Sequence, residues 1–301
     1  MDGRLQWASG IVKKRMSCLI TGNCGFVGRH FQEHLESLGW HVFGFDIRGD
    51  DPIDAIKFFQ VGTMPFDLAI HCAATIPPID QRKHNEMPVA ADLALDSLFF
   101  QWALEYRPTK IVFFSSAAAY PIHLQRQQYT LRESDIDLDN LQQPDAMHGL
   151  TKLTGEVQAR EARRQGLDIL VVRPFSGYGT DQSVDYPFPA FIARAKRKDN
   201  PFDIWGSGDQ VRDWIHIDDI VNAVMAMLAV DCTGPVNLGT GTPTSLADLA
   251  QLVTIHYSPQ FHTHPERPMG AYYRCADISL MSRFYQPKIS LEEGIRRALE
   301  A

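Results

Sequence analysis

Cysteine is scarce in this chain of 301 residues. There are five, Cys18, Cys24, Cys72, Cys232 and Cys275, an odd number with no CxxC pair. That excludes a disulfide framework and a cysteine-built zinc site, and it points to reduced thiols in a cytoplasmic protein. No apolar run approaches the ~20 residues of a membrane span. Basic residues are in deficit: 29 Lys+Arg stand against 36 Asp+Glu, a formal charge of −7. Nucleic acid is therefore not expected as the main partner, because binding a phosphate backbone needs a basic face. A few arginines can still hold one small anion. The eleven histidines show no metal spacing, so no metal is expected. Repeats and low-complexity tracts are absent. The first sixteen residues do not read as a signal peptide, since the basic cluster Lys13-Lys14-Arg15 follows the weakly apolar part and no long apolar segment comes after it. They read as a frayed extension, with the fold beginning near Met16.

What is present suffices for a sizeable core. Hydrophobic residues make up 45% and charged residues 22%, ordinary values for one large soluble domain or two closely joined ones. Short apolar runs at 17–21, 41–46, 66–73, 110–115 and 168–173 read as strands. Helical spacing is expected over 25–38, with Gly39 as its stop, over 88–106 ahead of Pro108, and over about 149–165. Strands alternating with helices imply a parallel sheet covered on both faces. The stretch between Asp46 and Phe66 is short, and a third strand there is unclear. After residue 175 Gly, Pro and aromatics become dense, which reads as loop-rich structure with short helices closing a ligand cleft at the carboxyl ends of the strands.

Between the first strand and the first helix lies Thr21-Gly22-Asn23-Cys24-Gly25-Phe26-Val27-Gly28, a GxxGxxG turn. Such glycines permit a tight turn and close approach of backbone to a pyrophosphate, and the helix start supplies free N–H groups. Asp46, at the end of the second strand, can accept hydrogen bonds from ribose hydroxyls and would repel a 2′-phosphate, which favours NAD over NADP. Arg48 nearby offers the opposite preference.

TGNCGFVG resembles the TGxxGFxG signature of the extended short-chain dehydrogenases/reductases, the NAD-dependent sugar-nucleotide epimerase/dehydratase family. HCAA (71–74), VFFSSAAAY (112–120), HGLTKLTGE (148–156), RPFSGYG (173–179), GSGDQVRDWIHIDDI (206–220) and VNLGTGTPTSLADLA (236–250) resemble its further landmarks, in family order. The resemblance implies an α/β fold: a Rossmann-type doubly wound parallel sheet over 17–175, then a smaller nucleotide-sugar-binding domain over 176–301, with some chain returning to the first. It implies an NAD site made by Gly22, Gly25, Phe26, Val27, Gly28, Asp46, Ile47, Arg48, Cys72, Ala73, Ala74, Lys152 and Pro174. A nucleoside-diphosphate sugar would meet Thr75, Ser116, Ser176, Arg212 and Arg267, with Arg212 and less securely Arg267 on the diphosphate. Homodimers are common in the family, through a helix pair that includes the one bearing Lys152.

Ser116, four residues before Tyr120, falls on the family's catalytic Ser/Thr, with Ser115 as its neighbour. Tyr120 reads as a structural or pocket residue, and Tyr129 as another donor. Lys152 is the motif lysine, so position 148 should hold the catalytic tyrosine; it holds His148. An imidazole, with a reference pKa near ~6.5, can accept a proton at neutral pH. It is also shorter than a phenol, and a nearby cation lowers its basicity. His148 therefore reads either as a working base or as the mark of an impaired scaffold. Asp92 stands where the family often has Asn, and Ser176 where it often has a nucleotide-contacting Asn. Dehydratases and decarboxylases of the family usually place acidic residues after the Ser/Thr, whereas Ala117, Ala118 and Ala119 follow here. That favours epimerisation through transient oxidation at the sugar C4. A 4-keto-sugar reductase and a silent binding scaffold are the alternatives.

Overall fold

The computed structural model describes residues 15–48, 55–61, 64–75, 87–267 and 269–301. The N-terminal extension expected over 1–16 lies outside the described residues up to 14. Arg15 and Met16 are already tied to the fold, through Arg15 Nε to the Gly39 carbonyl at 2.7 Å and the His41 N–H to the Met16 carbonyl at 2.8 Å.

Strands β1 (Ser17–Thr21), β2 (His41–Phe45), β3 (Leu68–His71), β4 (Lys110–Phe114) and β5 (Ile169–Pro174) alternate with helices α1 (Phe26–Ser37), α2 (Ala55–Val61), α3 (Met87–Tyr106) and α4 (Ala146–Arg164). With β9 (Val236–Leu238) they form a six-stranded sheet in the order β2-β1-β3-β4-β5-β9, parallel throughout. Among the described residues between β2 and β3 there is a helix, α2, and no strand. Successive side chains of each strand point to opposite faces, and both faces are apolar. Cys18, Ile20, Ile70, Val112 and Val172 pack with Phe31 and Leu35 of α1. Leu19, Ala69, Ile111, Phe113 and Val171 pack with Phe99 and Trp102 of α3 and Ala159 of α4. Each fully buried large side chain contributes about 1.5–3 kcal/mol. α1 ends where Gly39 takes φ +82, the left-handed region that glycine enters without strain.

The chain after β5 builds β6 (Ser176–Tyr178), α5 (Pro187–Arg197), β7 (Phe202–Trp205), β8 (Val211–His216), α6 (Ile217–Leu228), β10 (Pro243–Ser245), α7 (Leu246–Val253), β11 (Phe261–His264) and α8 (Leu291–Glu300). Phe188, Phe191, Phe202, Ile204, Trp214, Leu249 and Ile295 form a third core. Two pieces return to the large sheet. β9 extends its β5 edge, and α6 lays Ile220, Val221 and Val224 into the core shared with α1. Among the described residues no helix is long and apolar enough to cross a membrane, and all five cysteines are free thiols.

Candidate active site

The glycine turn occupies the carboxyl end of β1. Gly22 has φ +72, and a methyl on it would lie 2.8 Å from the Ala73 Cα. Only hydrogen fits between β1 and the chain leaving β3 there. A methyl on Gly25 would sit 2.9 Å from the Gly22 oxygen, and one on Gly28 would overlap it. Gly25 is the N-cap of α1, with no side-chain cap bond and no acidic residue in the first turn. The three glycines thus form a tightly closed backbone cradle at the start of α1, whose N-terminus takes no side-chain cap. That is a fit for a pyrophosphate.

Asp46 is buried just past β2. Its carboxylate accepts the Cys24 N–H at 3.2 Å, the Arg48 N–H at 2.9 Å and the Arg48 guanidinium at 3.3 and 3.4 Å. The two residues with opposing cofactor preferences are one ion pair, beside an exposed Ile47. Cys72, Ala73, Ala74 and Thr75 leave β3 half-buried. The Thr75 N–H donates to both Asp92 oxygens, at 2.9 and 3.0 Å. Burial pushes the Asp92 carboxyl up, against the pull of that N–H and of the Lys152 charge. Phe26 sets its ring edge-on to His30 and also packs against Gly179. Val27 packs on the α1 core. Arg29 Nε meets Asp181 at 2.6 Å and His30 meets it at 3.1 Å, so the loop after β6 is fastened to α1.

At the end of β4 the two serines part. The Ser115 hydroxyl donates to the buried Glu156 carboxylate. Half-buried Ser116 caps the short 3-10 turn Ala117–Ala119, its Oγ accepting the Ala118 N–H at 3.1 Å. The first turn of α4 docks on that same 3-10 turn: the Asp145 N–H reaches the Ala118 carbonyl at 3.0 Å, and Gly149 lies flat against it. His148 and Lys152, four apart, share one face of α4. His148 is half-buried. Lys152 is buried, with Nζ 5.3 Å from the Phe113 ring centroid, and its charge is felt by His71, Cys72 and Asp92. Ser116, His148 and Lys152 therefore belong to one wall, beside the ends of β3 and β4.

Buried polar pairs hold this wall in place. Arg173 binds Glu156 in a two-pronged pair at 2.9 and 2.6 Å and reaches the Tyr120 hydroxyl at 3.1 Å. Tyr120 donates to Asn237 Oδ1 at 2.6 Å; nearer the surface, half-buried Tyr129 donates to Asp135 at 3.0 Å. His71 stacks on Phe99 with centroids 4.2 Å apart, and its nitrogens engage Thr21 Oγ1 at 2.7 Å and Asp96 Oδ1 at 2.9 Å. Burial pushes its pKa down from the ordinary imidazole value, against the pull of Asp96.

On the far side, Arg212 of β8 donates to the Val211 carbonyl at 2.8 Å and to the Met269 carbonyl at 3.4 Å. Burial and the neighbouring Arg274 cation push it down to about 9, against the pull of Asp145, which leaves it charged at neutral pH. Asp213, next along β8, accepts from Thr240, Gly241 and Ala276. Arg267 is exposed, with its guanidinium 5.2 Å from the Trp205 ring centroid. Pro174 and Ser176 lie half-buried at the β5–β6 junction. No motif pointed to Arg274. It holds Gln125 at 2.6 Å and pairs with Asp145, the N-cap of α4. This links the Arg212 neighbourhood to the helix that carries His148.

Comparison with known proteins agrees with this fold. Over 317 residues the chain is 26% identical to a dTDP-4-dehydro-6-deoxy-D-allose reductase of Streptomyces sp, covering 92% of this chain and 94% of that one. It is 25% identical over 324 residues to UDP-glucuronic acid decarboxylase 1 of Arabidopsis thaliana, covering 96% and 70%. The UDP-glucose 4-epimerase of Thermus thermophilus, solved in complex with NAD, superposes with a TM-score of 0.80 at 20% identity, over 95% of this chain and 98% of that one. The sequence model of the NAD dependent epimerase/dehydratase family matches residues 18–239. With a doubly wound sheet, a glycine cradle at its first turn and this match across most of its length, the chain belongs to that NAD-dependent family.

Proposed function

We propose that the chain epimerises the sugar of a nucleoside-diphosphate sugar by transient oxidation at C4. The observation that carries this reading is the Ser116–His148–Lys152 wall with Ala117–Ala119 between its parts. Those three alanines are buried, so the turn that joins Ser116 to α4 offers no carboxyl group to protonate a leaving hydroxyl or to assist loss of CO2. NAD, when bound, supplies reversible hydride uptake.

The chain's own residues do the rest. Gly22, Gly25 and Gly28 with the α1 start hold the pyrophosphate, flanked by Phe26 and Val27. Asp46 accepts the adenosine ribose hydroxyls beside Ile47 and Arg48. Cys72, Ala73, Ala74 and Pro174 line the nicotinamide half, and Lys152 binds its ribose. Ser116 hydrogen-bonds the reacting hydroxyl, and the His148 imidazole takes its proton and returns it. Thr75 and Ser176 border the sugar nucleotide. Arg212, with Arg267, neutralises the diphosphate, as bidentate guanidinium chemistry suits. The family resemblance adds a cytoplasmic homodimer formed through α4 and a neighbouring helix, which sedimentation would test.

A second reading, reduction of a 4-keto sugar nucleotide, is favoured by the 26% identity to the allose reductase. Incubating the chain with NAD and UDP-, dTDP- and GDP-hexoses of both C4 configurations, and separately with NADH and the matching 4-keto sugar nucleotides, separates the two. Interconversion without net NADH change supports the epimerase. NADH consumed in step with a 4-keto substrate supports the reductase. Nucleotide-sugar binding with neither reaction overturns both and leaves a scaffold. Arg212→Ala should weaken nucleotide-sugar binding and spare NAD.

A further inference from the structure

The sequence showed no metal spacing among its histidines, yet the fold gathers Asp203, His262 and His264 so that one ligand atom from each lies within 4.8 Å of the others. We infer that these three residues bind a divalent cation of the zinc class, at a site separate from the Ser116–His148–Lys152 wall.

The strand geometry explains the gathering. β7 and β11 pair in parallel, with Asp203 opposite His262 and Trp205 opposite His264. Residues two apart on a strand share a face. Phe202 and Ile204 point into the core, so Asp203, His262 and His264 share the outer face. His264 Nε2 is 2.9 Å and His262 Nδ1 3.6 Å from Asp203 Oδ1. A tetrahedral cation with ligands at ~2.0–2.1 Å separates neighbouring donors by about 3.3 Å, a value the two observed distances straddle. Two imidazoles and a carboxylate suit zinc better than the all-oxygen sets of calcium or magnesium.

A fourth residue completes the arrangement. His264 Nδ1 faces Glu266 Oε1 at 3.1 Å. A carboxylate on the outer nitrogen of a ligating histidine fixes the tautomer that presents the other nitrogen to the metal. Cation binding displaces the proton shared by His264 Nε2 and Asp203, which passes to solvent. The charges facing the cluster include Arg194 of α5, which feels Asp203. One consequence rests on the proposed function. The Arg267 N–H bonds back to the His264 carbonyl at 3.0 Å, and Met269 carries the carbonyl that accepts from Arg212, so a cation would pin the base of the loop bordering the diphosphate arginines.

The test uses the full chain prepared without a polyhistidine tag and stripped with EDTA, then titrated with Co2+ alone and chased with Zn2+. One equivalent of Co2+ per chain should bind with visible d–d absorption that lacks thiolate charge transfer, and Zn2+ should bleach it. His262→Gln with His264→Gln should weaken binding ~100-fold or more. Glu266→Gln should weaken it ~10–100-fold while keeping one equivalent. The variants should match the parent in circular dichroism and melting in EDTA. No Co2+ binding by the parent, or binding that survives the double substitution, overturns the site and leaves His264 as an ordinary partner of Asp203. Because the readout needs no nucleotide or turnover, it stands or falls independently of the epimerase reading.

Discussion

Gly149 of α4 rests against the carbonyl oxygen of Ala118, with no room for a methyl group between them. That contact seats the start of α4, and His148 with it, on the turn capped by Ser116. Gly149→Ala should therefore act against its own helix propensity. Alanine favours a helix interior by ~1 kcal/mol over glycine, but the overlap should reverse the sign and destabilise by about 1–3 kcal/mol. The urea midpoint and kcat should both fall. Unchanged stability and turnover would remove this seat from the account.

The imidazole at 148 makes its own forecast. Only the neutral ring accepts a proton, so turnover should drop as pH falls through the imidazole pKa. His148→Phe should abolish activity at unchanged melting temperature. His148→Tyr separates a working base from a lost one: a gain of ~10²-fold or more marks an impaired enzyme, and a neutral or harmful effect marks a pocket fitted to imidazole. A rate that survives His148→Phe without pH dependence sinks the base.

Removing Asp46 has two effects at once. It deletes the acceptor assigned to the ribose hydroxyls, and it frees the Arg48 guanidinium that Asp46 now holds. Hydrogen bonds to a charged acceptor contribute ~1.5–3 kcal/mol. Asp46→Ala should accordingly weaken NAD about 10–100-fold by titration calorimetry and weaken NADP much less. Equal losses for both dinucleotides would take Asp46 out of its role.

His71 gives a pH dependence of stability. Its folded pKa lies below the ordinary imidazole value, because burial outweighs the pull of Asp96. Below ~6.5 the unfolded chain takes up a proton that the folded ring refuses. Stability is then fully present above that pH and is lost as pH falls toward the folded pKa. His216, also lowered by burial, adds a slope of the same sign. Asp92 and Asp213, whose carboxyls burial raises, act in the opposite sense as pH rises above the ordinary carboxylate range. Urea midpoints between pH 5 and 8 should fall toward acid, and less steeply in His71→Gln. Identical slopes would clear His71 of the effect.

Much of the first half was legible because its signals are local. Strand runs such as Ile169–Val172 are apolar on both faces, and Gly39 marks a helix end. The spacing alone starts α4 at about Gly149, whereas the helix begins at Ala146, because a tertiary bond from the Asp145 N–H to the Ala118 carbonyl sets its start. Arg274 was invisible for the same reason: its partners Gln125 and Asp145 lie 149 and 129 positions away. The His262-Thr263-His264 spacing was in plain view. It gained meaning only when parallel pairing brought Asp203, 61 positions from His264, to the same face.

The return of β9 and α6 to the large sheet has a consequence for dissecting the protein. A chain ended at residue 175 would keep β1 through β5 but lose the strand hydrogen-bonded to Val172–Pro174. It would also uncover Phe31 and Leu35, which α6 helps to cover. Such a fragment would expose an unpaired edge beside an apolar slab, the setting in which one copy recruits another. The two halves are thus interlaced by the path of the backbone, and a cut at the point where the sequence changes texture would sever the first half from part of its own sheet and core.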